Sequence, residues 1–184
     1  MKLLHIDSSI LGANSISRQV SAAVVERLQA SDPSIDVTYR DLAAGGIDQL
    51  TAANLPSEAS GADAALAEFL DADLIVLGVP TYNFGVPSQL KAWIDRIVVA
   101  GKTFRYGEAG PVGLAADKRV IVALARGGPA DFGDHVEPYL RTILGFIGVT
   151  EPEFIIAQGV MMGPEARAAA IDGALAAAGE LRAA

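Results

Sequence analysis

Residues 73–96 read DLIVLGVPTYNFGVPSQLKAWIDR, a segment in which an apolar run, a proline-bounded turn and an amphipathic stretch follow one another directly. Leu74, Ile75, Val76 and Leu77 are apolar without a break, a pattern that burial on one face cannot produce and burial on both faces of a parallel sheet can. This predicts a central strand. Pro80 withdraws a donor from the ladder, and Gly85 with Pro87 turns the chain into a helix with proline near its first turn. Leu90, Ile94, Ile97 and Val98 then fall at i, i+4, i+7 and i+8, a single stripe. Thr81, Tyr82, Asn83 and Phe84 lie between strand and helix, at the carboxyl end where open α/β sheets bind ligands.

On the N-terminal side, residues 3–6 form a short apolar strand carrying His5 and run into Asp7, Ser8 and Ser9. A turn over 10–14 leads to a helix with Val20, Ala23, Val24 and Leu28 on one face and Ser15, Ile16 and Ser17 at its entry. Arg18 stands three residues after Ser15, so the entry is no capping box. Residues 37–42 alternate and predict an edge strand, whereas 43–61 is rich in Ala, Gly, Ser and Asn and predicts an irregular connection. A helix with Leu66, Phe69 and Leu70 inward leads into the central strand. On the C-terminal side, Gly101 is placed as a helix C-cap, and 102–114 as a loop or short hairpin. Residues 120–125 form a buried strand closing on Arg126, Gly127, Gly128 and Pro129. A helix over 135–146, a strand over 154–157 and an Ala-rich helix over 165–181 complete the chain.

This alternation predicts a doubly wound parallel sheet in one domain, residues 1–184. Two strand orders compete: the flavodoxin-like 2-1-3-4-5 and half of a dinucleotide-binding fold. A dinucleotide fingerprint would put Gly-x-Gly-x-x-Gly after the first strand, but only Gly12 stands there, among hydroxyls. The expected fold is therefore α/β, flavodoxin-like, a five-stranded parallel sheet of order 2-1-3-4-5 with helices on both faces. Helix N–H groups with Ser9, Ser15 and Ser17 suit a phosphate monoester and need no lysine.

At 184 residues and 51% hydrophobic, the chain is sized for one core. A net charge of −8, from 14 basic and 22 acidic residues, argues against nucleic acid. With no cysteine there is no disulfide or thiolate metal site, so redox chemistry would require a bound cofactor. No secretory signal and no membrane span are evident, which predicts a soluble cytoplasmic protein. Plainer readings stand beside the functional ones: the serines as helix caps, Tyr82 and Phe84 as packing, Gly127 and Gly128 as a turn. His5 is expected in the core and His135 on the surface at a helix start, with no metal site from either. Trp93 suits the core and a dimer surface equally.

The segments DSSILGANSISR (7–18), PTYNFGVPSQLKAWIDRIVVAGKTFRYGEAGPVGL (80–114), ARGG (125–128) and YLRTILGFIGV (139–149) together resemble the flavin mononucleotide (FMN)-dependent, NADH-using azoreductases or quinone reductases. The resemblance covers essentially the whole chain. It implies phosphate contacts from Ser9, Ser15, Ile16 and Ser17, and flavin-ring contacts from Thr81, Tyr82, Asn83 and Phe84. It maps a second ring-facing loop onto Ala125, Arg126, Gly127 and Gly128. Family members often carry Met where Thr81 stands and Ser where Ala125 stands, so contact at Ala125 would be through backbone. The segment 43–61 is shorter than in some relatives, which bears on substrate preference.

What the resemblance implies is a homodimer with sites at the subunit interface that reduces quinones and azo compounds. Hydride transfer through flavin N5 in turn from NADH and to the acceptor needs no catalytic side chain, with Asn83 and Phe84 positioning the ring. Backbone donors around Gly127 and Gly128 would stabilise charge at the N1 and C2 carbonyl edge. Phe104 and Tyr106 would form a substrate wall, with 102–114 a candidate lid. A one-electron carrier of the same fold, lacking a nicotinamide site, and a phosphate-binding regulatory module are the alternatives.

Overall fold

The computed structural model describes residues 1–56, 63–129 and 134–183. Its elements are β1 (Lys2–Asp7), α1 (Ile16–Ser31), β2 (Asp36–Asp41), α2 (Ala64–Asp71), β3 (Leu74–Pro80), α3 (Ser88–Ile97), β4 (Phe104–Gly107), β5 (Gly110–Gly113), β6 (Arg119–Arg126), α4 (Val136–Phe146), β7 (Glu153–Gln158) and α5 (Pro164–Gly179). The main sheet is parallel in the order β2-β1-β3-β6-β7, which is 2-1-3-4-5 once the separate β4-β5 hairpin is left aside. All seven residues of β3 are buried, as its unbroken apolar run requires. The β2 strand forms one edge and is half-exposed, in keeping with its alternation.

Successive β3 side chains serve opposite cores. Leu74 and Val76 pack with Val20, Val24 and Leu28 of α1 and Ala174 and Ala178 of α5. Ile75, Leu77 and Val79 pack with α2, α3 and α4 through Phe69, Trp93, Ile94, Leu140 and Leu144. Helices thus cover both faces. No described helix is long and apolar enough to cross a membrane.

Two expectations need correction, and one open alternative closes. Leu70 points outward and is 39% exposed, because the buried stripe of α2 runs through Ala65, Leu66 and Phe69. Gly101 does not cap α3, which ends at Ile97; its φ of +75° instead turns the chain into the hairpin, its N–H donating to the Phe104 carbonyl. Trp93 is core at 1% exposure, edge-on to Phe69 at 6.0 Å between centroids.

The 43–61 connection is described as far as residue 56 and contains no helix or strand there. Residues 57–61 lie outside the described set. What holds the described part is the buried Arg96 of α3, which donates to the carbonyls of Asn54 at 2.8 Å and Asp48 at 2.9 Å. The segment 102–114 is the β4-β5 hairpin, seated on the end of α4. A Cβ at Gly113 would come within 2.1 Å of the Gly148 nitrogen.

Candidate functional site

The carboxyl ends of β1, β3 and β6 carry three turns that meet at one edge of the sheet. The first follows β1. Ser8 ties it to β3, its hydroxyl donating to the Gly78 carbonyl at 2.8 Å. Ser9, Ser15 and Ser17 are all buried at the entry of α1. Ser15 is the N-cap, its Oγ accepting from the Arg18 N–H at 3.3 Å, and the Ser17 hydroxyl lies 3.1 Å from it. Capping therefore accounts for Ser15 but not for buried Ser9 and Ser17. The N–H groups of Ile16 and Ser17 stand in the first helical turn, where no intrahelical acceptor exists and the dipole favours an anion.

The second turn is tight. Tyr82 and Gly85 exchange backbone hydrogen bonds of 3.0 and 2.9 Å around Asn83 (φ +49°) and Phe84 (φ +65°). Two successive left-handed residues make a type I′ turn, for which Asn-Gly is the favoured pair. Asn83 suits it; Phe84 does not. A bulky residue at positive φ costs roughly 1–3 kcal/mol and persists where the surroundings or function demand it. Phe84 is nonetheless 55% exposed. The Tyr82 hydroxyl reaches back to the first turn, 3.1 Å from the Ser9 hydroxyl and 3.3 Å from the Ile10 N–H that donates to it.

The third turn follows β6. The Thr81 N–H donates to the Ala125 carbonyl at 2.8 Å, joining second and third turns through the backbone. The carbonyls of Arg126, Gly127 and Gly128 accept from Val160, Met161 and Gly159 at 3.2, 3.1 and 3.0 Å. Trans peptide planes then aim the N–H groups of Gly127 and Gly128 away from the loop after β7. Met161 lies over Gly127, where a Cβ would meet its Cγ at 3.0 Å. Arg126 places Nη1 2.6 Å from Asp134 Oδ2 in an ion pair and donates through Nη2 to Gln158 at 3.1 Å. Burial pushes the Asp134 carboxyl up, but Arg126 and the backbone N–H groups of Glu137 and Val136 together outweigh this and hold it below the usual carboxylate range.

Thr81, Asn83 and Phe84 from one turn and Arg126, Gly127 and Gly128 from the other line a cavity of about 380 Å³. His135, exposed at the start of α4, stands at its rim. Thr81 Oγ1 and Arg126 Nε are buried there without a hydrogen-bond partner among the described residues. Thr81 and Asn83 also line a neighbouring cavity of about 650 Å³ with Ile10 and Tyr82, so the turn after β3 and the serine turn adjoin.

Phe104 and Tyr106 do not line these cavities. Phe104 is buried against Phe146 at 4.6 Å, and Tyr106, 76% exposed, stands edge-on to Phe104. His5 is a core residue, its Nε2 3.0 Å from Ser21 Oγ. No group of three or more metal-binding side chains occurs among the described residues. Sequence reading overlooked Met161 and Asp134. A Gly-bounded loop after the last strand, GVMMGP, was the available sign of a third loop at this edge.

A family model described as a flavodoxin-like fold matches residues 1–181. A protein of Bradyrhizobium diazoefficiens named FMN-dependent NADH:quinone oxidoreductase 2 is 54% identical over 202 residues, covering 100% of both chains. One of Xanthomonas axonopodis pv. citri, FMN-dependent NADH:quinone oxidoreductase 1, is 56% identical over 190 residues, covering 100% of this chain and 98% of its own. Among solved structures, an azoreductase from Bacillus anthracis superposes with a TM-score of 0.84 at 27% identity, covering 98% of this chain and 100% of that one.

Proposed function

Because the chain belongs to the flavodoxin-like fold family, we propose that its three-turn edge binds FMN and that the protein is an FMN-dependent NADH:quinone oxidoreductase. Relatives of that name more than half identical over the whole chain support the enzyme class, FMN as cofactor and NADH as donor. The observation that carries the reading is the adjacency of two unlike half-sites. One is a lysine-free turn of buried hydroxyls on a helix N-terminus; the other is an aromatic turn facing a glycine loop across a cavity. The residues fit the cofactor. Ser9, Ser15, Ile16 and Ser17 would hold its phosphate. Thr81, Tyr82, Asn83 and Phe84, with Ala125, Arg126, Gly127 and Gly128, would hold its ring. The partnerless Thr81 Oγ1 and Arg126 Nε are donors such a ring could satisfy.

When bound, FMN supplies the two-electron hydride chemistry. The protein's own part is position and polarity. The Gly127 and Gly128 N–H groups would stabilise charge at one ring edge, Asn83 would address another polar edge, and Phe84 would set an apolar wall. Quinones are the acceptors, and aromatic azo compounds share the same stacking requirement. A homodimer is part of this proposal: Tyr106, exposed and clear of the two cavities described above, suits a wall offered to a partner's site. So is a cytoplasmic location.

If donor and acceptor both stack in the cavity between the turns after β3 and β6, they must take turns. Varying NADH at several fixed quinone or azo-dye concentrations is expected to give parallel double-reciprocal lines, the ping-pong pattern. Intersecting lines would mean that both substrates bind together and that the shared-cavity reading is wrong.

A further inference from the structure

Behind the serine turn, on the side away from Tyr82, lies a partly buried polar cluster that the proposed chemistry does not use. Arg18 of α1 is its centre. The guanidinium grips the Ser9 carbonyl with two donors, Nε at 3.1 Å and Nη2 at 2.7 Å. Nη2 also donates to Asp41 at 2.6 Å and Nη1 to the Tyr39 hydroxyl at 2.9 Å, with Asp7 3.8 Å from Nη1. Asp7 is itself fixed, accepting from Ser21 Oγ at 2.8 Å and from the Tyr39 hydroxyl at 3.1 Å. Glycine at position 78 makes room for it, since a Cβ there would fall 2.1 Å from Asp7 Oδ1. The side chain of Arg18 is only 14% exposed and every nitrogen has a protein partner, so it is not a spare cation for the phosphate.

Its leverage is on the peptide plane. The Ser9–Ile10 peptide presents its carbonyl to Arg18 and, on the opposite side, its N–H to the Tyr82 hydroxyl. Arg18 and Tyr82 therefore hold the two ends of one rigid unit, and Ser9 Oγ is carried on it. A planar fork with fixed donors can lock a carbonyl this way; an ammonium point charge cannot reproduce the fork.

We propose that Arg18 is a positioning residue for the serine turn: by clamping the Ser9 carbonyl from behind, it sets how tightly the turn takes the phosphate monoester of FMN without touching it. The inference rests on the FMN reading. It predicts a defect specific to the phosphate, which riboflavin, carrying the same ring and no phosphate, exposes.

The experiment titrates the full chain, freed of flavin, with FMN and separately with riboflavin, following flavin fluorescence. Wild type is expected to favour FMN. Arg18→Lys is expected to lose FMN affinity about ten- to a hundredfold while riboflavin affinity stays as in wild type, so that the preference collapses. Asp41→Asn, which loosens the fork but leaves it in place, shifts the same ratio in the same direction and decides the matter if Arg18→Lys does not fold. Equal weakening toward both flavins, or an unchanged ratio, overturns the role of Arg18 alone. A wild type that binds neither flavin overturns the FMN reading and this inference with it.

Discussion

Phe84 is the residue at which local preference and observed conformation part most clearly. An Asn-Gly pair would form the turn between Tyr82 and Gly85 without strain, and the chain carries Asn83-Phe84 instead, with a half-exposed ring at φ +65°. Strain of this kind is retained where a side chain is needed for something other than folding. Phe84→Gly is expected to leave the unfolding midpoint equal to or above wild type, with relief of about 1 kcal/mol, while NADH-dependent quinone reduction falls. A clear drop in stability would mean that the ring serves the fold. Sequence alone located this turn, since prolines bracket it at Pro80 and Pro87, but it could not reveal the positive φ. Arg18 and Arg96 were illegible for another reason. Each grips backbone carbonyls, and a carbonyl leaves no mark on residue type.

Among the elements, the hairpin of β4 and β5 depends on one close approach. Gly113 packs against the chain at Ile147 and Gly148, just past the end of α4, with no space for a side chain. Gly113→Ala is expected to lower stability by about 1–3 kcal/mol through backbone displacement. Gly145→Ala, within α4 and with nothing within 4 Å of an added Cβ, is expected to raise it by about 0.5–1 kcal/mol. Thermal unfolding of both variants checks the pair, and a loss of similar size from each would contradict the docking. The sequence predicted a loop or hairpin here from its glycines. Its seat was not predictable, because it is made by the backbone of a segment more than thirty residues away. Leu70 shows the same limit within a helix: hydrophobicity alone did not tell which of two adjacent leucine-like positions in EFLD faces the sheet.

For the whole molecule, strand order was legible because two signals agreed. The unbroken apolar run of β3 demanded a central strand, and hydroxyls in place of a glycine fingerprint after β1 pointed away from a dinucleotide fold. The turns at the carboxyl edge were legible as well, since in a doubly wound sheet they must converge where strand order reverses. Their connections were not: the Tyr82 hydroxyl on Ser9, the Thr81 N–H on Ala125 and the loop after β7 along Gly127 and Gly128 are contacts between distant segments.

The central claim is that this edge holds FMN in a form that NADH reduces directly and a quinone then re-oxidises. Its most direct test is an anaerobic titration of the full chain reconstituted with FMN, recording absorbance spectra as NADH and then a quinone are added. NADH is expected to bleach the bound FMN in one two-electron transition, and the quinone to restore its colour. A chain that binds FMN but is left yellow by NADH, and is reduced only by dithionite in one-electron steps, would contradict that claim and mark the protein as a carrier.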